Sequence, residues 1–212
     1  MRFYWIKTNA FIKWLFPKYL WNLDRKSNRV YLTFDDGPVP EATPWVLDLL
    51  KKYNAKATFF CIGENANINP GLLKRILNEG HSVGNHTYNH VNGWQTTNSE
   101  YFRDVNQCAK VLQEISNQDT NLFRPPYGKI TSAQANKLLS QGYKIVMWDV
   151  LSADFDTTVS AEECTKNVLK NIEPGSIVIF HDSLKAFKNL EHALPAALQY
   201  AREKGYICDV IS

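Results

Sequence analysis

Short apolar runs alternate with helical stripes along almost the whole chain, and this alternation limits the fold more than any other feature. Strand-like runs occupy residues 30–34, 57–62, 82–85, 122–123, 144–150, 176–180 and 206–211. They favour β-branched and aromatic side chains, and Gly or Pro closes several of them within three residues. Helical patterns lie between them. One spans 41–53, with Thr43 as its N-cap and Pro44 at the first helical position. Others span 72–78, 100–115, 132–141 and 190–204, and Ser160-Ala161-Glu162-Glu163 reads as a capping box opening a helix to Ile172. Seven strands separated by helices predict a parallel sheet covered by helices on both faces. Chemistry in such sheets collects at the C-terminal ends of the strands.

A chain of 212 residues with no repeat or linker predicts one catalytic-size domain, residues 30–212, preceded by a segment 1–29. A net charge of +3, with no block of Lys or Arg, argues against a nucleic-acid partner. Cys61, Cys108, Cys164 and Cys208 lie far apart without a CxxC pair, which predicts isolated buried thiols.

Residues 1–21 are basic and aromatic: Arg2, Lys7, Lys13 and Lys18 interleave with Phe3, Trp5, Phe11, Trp14 and Phe16. No apolar run is long enough for a signal-peptide core or a membrane span. Two readings stay open, packing across the domain and peripheral contact with a membrane surface. The corresponding expectation for location is cytoplasmic or membrane-peripheral.

Strand ends deliver the reactive side chains. Asp35 and Asp36 follow the run 30–34, and Gly37-Pro38 stops it at once. Two adjacent acids at the mouth of a buried strand need a cation, a metal or a shared proton. In Gly84-Asn85-His86-Thr87-Tyr88-Asn89-His90 two imidazoles stand four residues apart, so on a helical turn both reach one ion. Two His and one Asp leave coordination positions open for water and substrate. One acid then binds metal, while its neighbour accepts a proton. Arg124, in Phe123-Arg124-Pro125-Pro126-Tyr127-Gly128, is placed to pair with an acid, and the prolines stiffen the loop so that the Tyr127 backbone N–H points into the site. His181 ends the run 176–180, and Asp154 is the carboxylate that keeps it protonated as an acid. His81 and His192 read as a strand-entry and an exposed-helix residue.

These motifs resemble those of the polysaccharide deacetylases, with the nodulation-type chitooligosaccharide deacetylase homology domain of carbohydrate esterase family 4. The resemblance is carried by Thr33-Phe34-Asp35-Asp36-Gly37, His86-Thr87-Tyr88-Asn89-His90, Arg124-Pro125-Pro126-Tyr127-Gly128 and Ile179-Phe180-His181, in the family's order. It implies an α/β fold, a distorted seven-stranded (β/α) barrel. It implies Asp35 as base and Asp36, His86 and His90 as ligands of one divalent metal ion, with zinc the first choice. Arg124 would orient Asp35, the Tyr127 N–H would join the oxyanion site, and His181, tuned by Asp154, would be the acid. The implied reaction is attack of metal-bound water on an N-acetyl group of an N-acetylglucosamine-containing glycan by a monomeric enzyme.

One stretch departs from the family pattern. Where Asp-x-x-Asp-Trp is usual, this chain has Leu151-Ser152-Ala153-Asp154-Phe155. The departure bears on the groove wall, where Phe155, Trp148 and Tyr127 are the expected substrate contacts. Three alternatives stay open from the residues: a same-fold amidase on a small non-sugar molecule, an O-acetyl esterase, and a metal-holding carbohydrate-binding module without turnover.

Overall fold

In the computed structural model, which describes residues 4–212, the strands are β1 (Arg29–Asp35), β2 (Ala57–Cys61), β3 (Ser82–Asn85), β4 (Leu122–Phe123), β5 (Lys144–Ile145), β6 (Val150–Leu151), β7 (Ile177–His181) and β8 (Ile207–Cys208). The helices are α1 (Ala10–Leu15), α2 (Thr43–Lys52), α3 (Gly63–Ile68), α4 (Pro70–Asn78), α5 (Asn98–Ser116), α6 (Ser132–Ser140), α7 (Ala161–Leu169) and α8 (Leu184–Glu203). Seven strands follow one another in the order β5-β4-β3-β2-β1-β7-β6, and β8 pairs beside the start of β1. Every strand pairing is parallel. The result is a curled half-barrel of seven strands wrapped by helices, the distorted (β/α) barrel expected from the motifs.

Register brings the strand ends level. Asp35 at the end of β1 aligns with His181 at the end of β7 and with Phe60 in β2. Asn85 at the end of β3 aligns with Cys61 and Phe123, so the next residues, His86 and Arg124, emerge at the same rim. Beneath the rim, Phe34 stacks between Phe59 and Phe180 with ring centroids 5.0 and 5.9 Å away. Each such fully buried ring contributes about 2 to 3 kcal/mol. This packing holds the centre of the sheet rigid under the polar rim.

The run 144–150 does not form one strand. It splits into β5 and β6, at opposite ends of the sheet path, because the backbone between them has other partners. The Val146 and Met147 carbonyls accept from the Arg124 guanidinium at 3.1 and 2.9 Å. Thr43 is not the N-cap of its helix. Ala42 holds that position, and the Thr43 hydroxyl instead accepts from Val39 N–H at 2.8 Å and donates to Asp182 at 2.6 Å. The last helix begins six residues before the expected 190, and α3 was not visible as a periodic pattern. All four cysteines are free and buried.

Residues 4–25 form a strap that joins the two edges of the curled sheet. Beside β6, Leu151 N–H donates to the Ile6 carbonyl at 2.8 Å and Thr8 N–H to the Asp149 carbonyl at 2.9 Å. Beside β5, Leu20 exchanges main-chain bonds with Ile145 and Met147, each 2.8 Å. The fastening point is Asp149, whose side chain is 0% exposed. It accepts from Lys7 at 2.8 Å, Arg25 at 3.1 Å and Ser176 at 2.7 Å, and also from Lys13. The outer face of the strap exposes Trp5, Phe11, Trp14 and Leu15. The residues Arg2 and Phe3, part of the basic aromatic pattern, lie outside the described residues. No helix among the described residues is long and apolar enough to cross a membrane.

Candidate active site

A cavity of about 520 Å³ opens at the C-terminal rim, with Asp35, Asp36, His86, His90 and His181 in its wall. Backbone strain collects around it. Among the described residues, Asp36, Thr87, His90, Tyr127 and Ala153 are non-glycine residues with φ between 55° and 79°. Left-handed backbone is disfavoured for side chains with a Cβ and persists where surrounding bonds enforce it. Here those bonds can be named.

The loop after β1 is held by Asp182, a carboxyl with 0% exposure that directly follows His181. Asp182 Oδ1 accepts from Gly37 N–H at 3.1 Å, Oδ2 accepts from Thr43, and its own N–H donates to the Asp35 carbonyl at 3.1 Å. A Cβ on residue 37 would overlap the Asp182 carboxyl, so only glycine allows this approach. Burial, and secondarily the charge on Asp36, pushes the Asp182 carboxyl up to about 8. Sequence reasoning assigned no role to Asp182 and read the Thr43 hydroxyl as a helix cap rather than as its partner. The only signal was an acid immediately after the strand-ending histidine.

His86 and His90 do not share a helical turn. They lie in a loop whose left-handed residues Thr87 and His90 turn both rings inward. Asn85 and Asp104 enforce that shape: Asn85 Oδ1 accepts from Thr87 N–H at 2.9 Å, and Asp104 Oδ1 accepts from Tyr88 and Asn89 N–H at 2.6 and 2.9 Å. His86 Nδ1 lies 2.8 Å from the Arg124 carbonyl. A carbonyl only accepts, so Nδ1 carries the proton and Nε2 presents its lone pair to the cavity. Burial drops the pKa of His86 to about 4 and keeps the ring neutral.

The Asp36 carboxylate faces both rings, with Oδ1 3.7 Å from His86 Nε2 and 3.2 Å from His90 Nε2. Burial alone would raise its pKa, but the close His90 ring and the charge on His181 outweigh this and hold it well below the usual carboxylate range. Asp36 Oδ1 is buried without a well-formed hydrogen bond. One donor atom from each of Asp36, His86 and His90 lies within 4.8 Å of the others. Two imidazole nitrogens and an orphaned carboxylate oxygen fit a divalent cation of the zinc type.

Two further pairs flank this cluster. On one side Arg124 Nη1 donates to Asp35 Oδ1 at 2.7 Å and to Thr33 Oγ1 at 2.7 Å. Asp35 Oδ2 is left facing His86 Nε2 at 3.8 Å. On the other side His181 Nδ1 lies 2.7 Å from Asp154 Oδ1, and its backbone N–H donates to Asp154 Oδ2 at 2.8 Å. Burial would lower the His181 pKa, yet the Asp154 carboxylate overrides it and raises the ring to about 9. The ring is therefore an imidazolium at neutral pH.

Tyr127, Trp148 and Phe155 all line the cavity. The Tyr127 hydroxyl is 3.1 Å from His90 Nδ1, and Phe155 meets the His181 ring edge-on at 5.1 Å. Of the rim residues singled out from sequence, Asp35, Asp36, His86, His90, Tyr127, Trp148, Phe155 and His181 line one cavity, while Arg124 and Asp154 act on it through Asp35 and His181. His81 is apart from it, buried with Nδ1 accepting from Ala57 N–H at 3.2 Å.

Residues 22–146 match the family model described as polysaccharide deacetylase. A peptidoglycan-N-acetylglucosamine deacetylase of Bacillus cereus is 44% identical over 154 residues, which cover 73% of this chain and 56% of that protein. A second protein of the same name from that organism is 35% identical over 187 residues, covering 88% of this chain and 87% of its own length. The match thus spans little more than half of the first relative and most of the second. Among solved structures, that of the Bc1960 peptidoglycan N-acetylglucosamine deacetylase superposes with a TM-score of 0.89 at 36% identity, covering 96% of this chain and 95% of that one.

Proposed function

Since the chain belongs to the polysaccharide deacetylase family, we propose that it hydrolyses the N-acetyl groups of N-acetylglucosamine-containing glycans to free acetate and a sugar amine. The observation that carries the reading is a base and an acid held apart on either side of a metal-type cluster. Asp35 is paired with Arg124, and His181 with Asp154. A binding module needs neither pair.

In this reading Asp36, His86 and His90 hold a divalent metal ion, zinc by donor type, which when bound supplies Lewis-acid polarisation of the acetyl carbonyl and acidifies water. Asp35 takes the proton from the attacking water through the oxygen that Arg124 leaves unbonded. A C–O bond forms at the acetyl carbon, and the carbonyl oxygen becomes an oxyanion. The Tyr127 backbone N–H donates to that oxyanion, a contribution of about 3 kcal/mol per donor in comparable acyl transfers. His181, an imidazolium near neutrality, then gives its proton to the nitrogen as the C–N bond breaks. Trp148 and Phe155 bound the sugar side of the cavity.

Acetate release from N-acetylglucosamine oligomers and from peptidoglycan fragments, measured with zinc added, tests the reading. The unaltered chain should release acetate, and Asp35→Asn should retain zinc while losing turnover. Full acetate release by Asp35→Asn would remove Asp35 as the base. Cleavage of acetyl esters without amides would favour the esterase alternative.

A further inference from the structure

The strap of residues 4–25 does more than close the sheet, because its first described residue enters the site. Tyr4 lines the same cavity as Asp35, His86, Trp148, Phe155 and His181. Its ring stands edge-on against Phe155, with centroids 5.6 Å apart at 63°, and Phe155 stands edge-on against His181 at 5.1 Å and 66°. The Tyr4 hydroxyl donates to Asp156 Oδ2 at 2.7 Å, which fixes where the ring sits.

The same strap holds two other cavity residues by their backbones. Thr8 Oγ1 donates to the Trp148 carbonyl at 2.7 Å, and the Ile6 carbonyl accepts from Leu151 N–H at 2.8 Å. Its seat is the Asp149 carboxylate, bound by Lys7, Lys13 and Arg25. Residues 4–21 lie before the part of the chain that matches the family model, 22–146. This wall is thus built from sequence outside the matched motifs.

We propose that the strap is a wall of the substrate groove and that Tyr4 is a specificity-determining residue, its ring packing on a sugar unit joined to the one being deacetylated. The proposal rests on the glycan reading above. Tyr4 and Phe155 together present aromatic surface with a polar tip, which suits a pyranose ring: its C–H face packs on an aromatic edge or face while its hydroxyls stay hydrogen-bonded. Tyr4 is separated from His181 by Phe155, so it acts on binding of the extended substrate rather than on proton transfer. Fixed backbone partners pre-order the wall, and less conformational entropy is lost when the glycan binds.

The test uses the full zinc-loaded chain with N-acetylglucosamine oligomers of two to six units, together with calorimetric binding of the tetramer to the Asp35→Asn chain. Tyr4→Ala should raise KM and weaken tetramer binding by about tenfold, leave kcat within twofold, and affect the dimer less than the longer oligomers. Tyr4→Phe, which keeps the ring but loses its anchor on Asp156, should fall between the unaltered chain and Tyr4→Ala in KM and binding. Trp5→Ala, an exposed neighbour on the strap, should change neither. If Tyr4→Ala lowers the melting temperature, Tyr4→Leu keeps the apolar volume without the ring and should show the same loss. Unchanged KM and binding in both Tyr4→Ala and Tyr4→Leu would overturn the proposal. Tyr4-dependent binding without acetate release from any oligomer would sustain the wall and overturn the deacetylase reading. Failure of the tetramer to bind the Asp35→Asn chain would overturn the wall itself.

Discussion

Arg124 reaches across the inside of the curled sheet to Asp35, donating from Nη1 to Oδ1 at 2.7 Å while its other nitrogens are held by the Val146 and Met147 carbonyls. Its side chain is completely enclosed, and the Phe60 ring lies 4.1 Å from the guanidinium carbon. A lysine offers one point charge and cannot make this fork of bonds. Arg124→Lys should therefore lower kcat by roughly a hundredfold through misplacement of Asp35, with a smaller change in KM. Arg124→Met should also destabilise the fold, by about 3 to 5 kcal/mol, because it leaves a buried carboxylate unpaired. Steady-state kinetics with urea unfolding separate the two effects, and wild-type kcat in Arg124→Lys would contradict this account of Asp35.

The Asp36–His86–His90 cluster predicts a metal-dependent melting temperature. A ligand present at a hundred times its Kd stabilises the folded state by about 2.7 kcal/mol. For a domain of this size that is a rise of roughly 5 to 10 °C when zinc is returned to chelator-treated protein. His86→Ala and His90→Ala should abolish most of the rise, and activity should return with zinc only in the unaltered chain. An equal rise in all three proteins would place the metal elsewhere.

His181 carries the clearest pH signature. Its folded pKa of about 9 lies above the ordinary 6.5, so the protonated ring persists through neutral pH. Stability from this pair is fully present below 6.5 and disappears as pH rises through 9. If the imidazolium is the proton donor, kcat should fall on the alkaline side near that value. Asp154→Asn removes the carboxylate that raises the ring, so its alkaline limb should move at least one pH unit lower, with kcat reduced near neutrality. A pH–rate profile of both proteins checks this, and an unmoved alkaline limb would detach His181 from that limb.

Legibility in the sequence followed the physics of each element. β1, β2 and β7 are largely apolar runs, and their register with the short β3 and β4 levels Asp35, His86, Arg124 and His181, so the convergence could be read from strand ends. The split between β5 and β6 could not, since it depends on a guanidinium arriving from β4 and a strap arriving from the N-terminus. Helical spacing paired His86 and His90, which the structure brings into one cluster with Asp36 for a different reason. Asn85 and Asp104 impose a left-handed loop that periodicity does not encode. Thr43 looked like a cap because Pro44 follows it, but its hydroxyl is spent on Asp182, a partner 139 residues away. Asp149 and Tyr4 were silent for the same reason: their meaning lies in long-range partners.

Asp149 supplies the last prediction, because one buried carboxylate fastens three cations of the strap. Burial by itself would raise its pKa, but the hydrogen bonds from Lys13, Lys7 and Ser176 reverse the sign and bring it to about 2. The folded value lies below the unfolded one, so the stabilisation is present above pH 3.8 and is lost as pH falls toward 2. A lowering of this size corresponds to about 2 kcal/mol. Asp149→Asn should therefore be less stable than the unaltered chain by about that amount at pH 7, and the gap should narrow between pH 4 and pH 2. Urea unfolding across that range measures it. Loosening the strap should also raise KM for long oligomers, as removal of the Tyr4 ring is expected to, while kcat on the shortest stays near its original value. A stability gap that persists unchanged at pH 2 would mean that packing, not charge, fastens the strap.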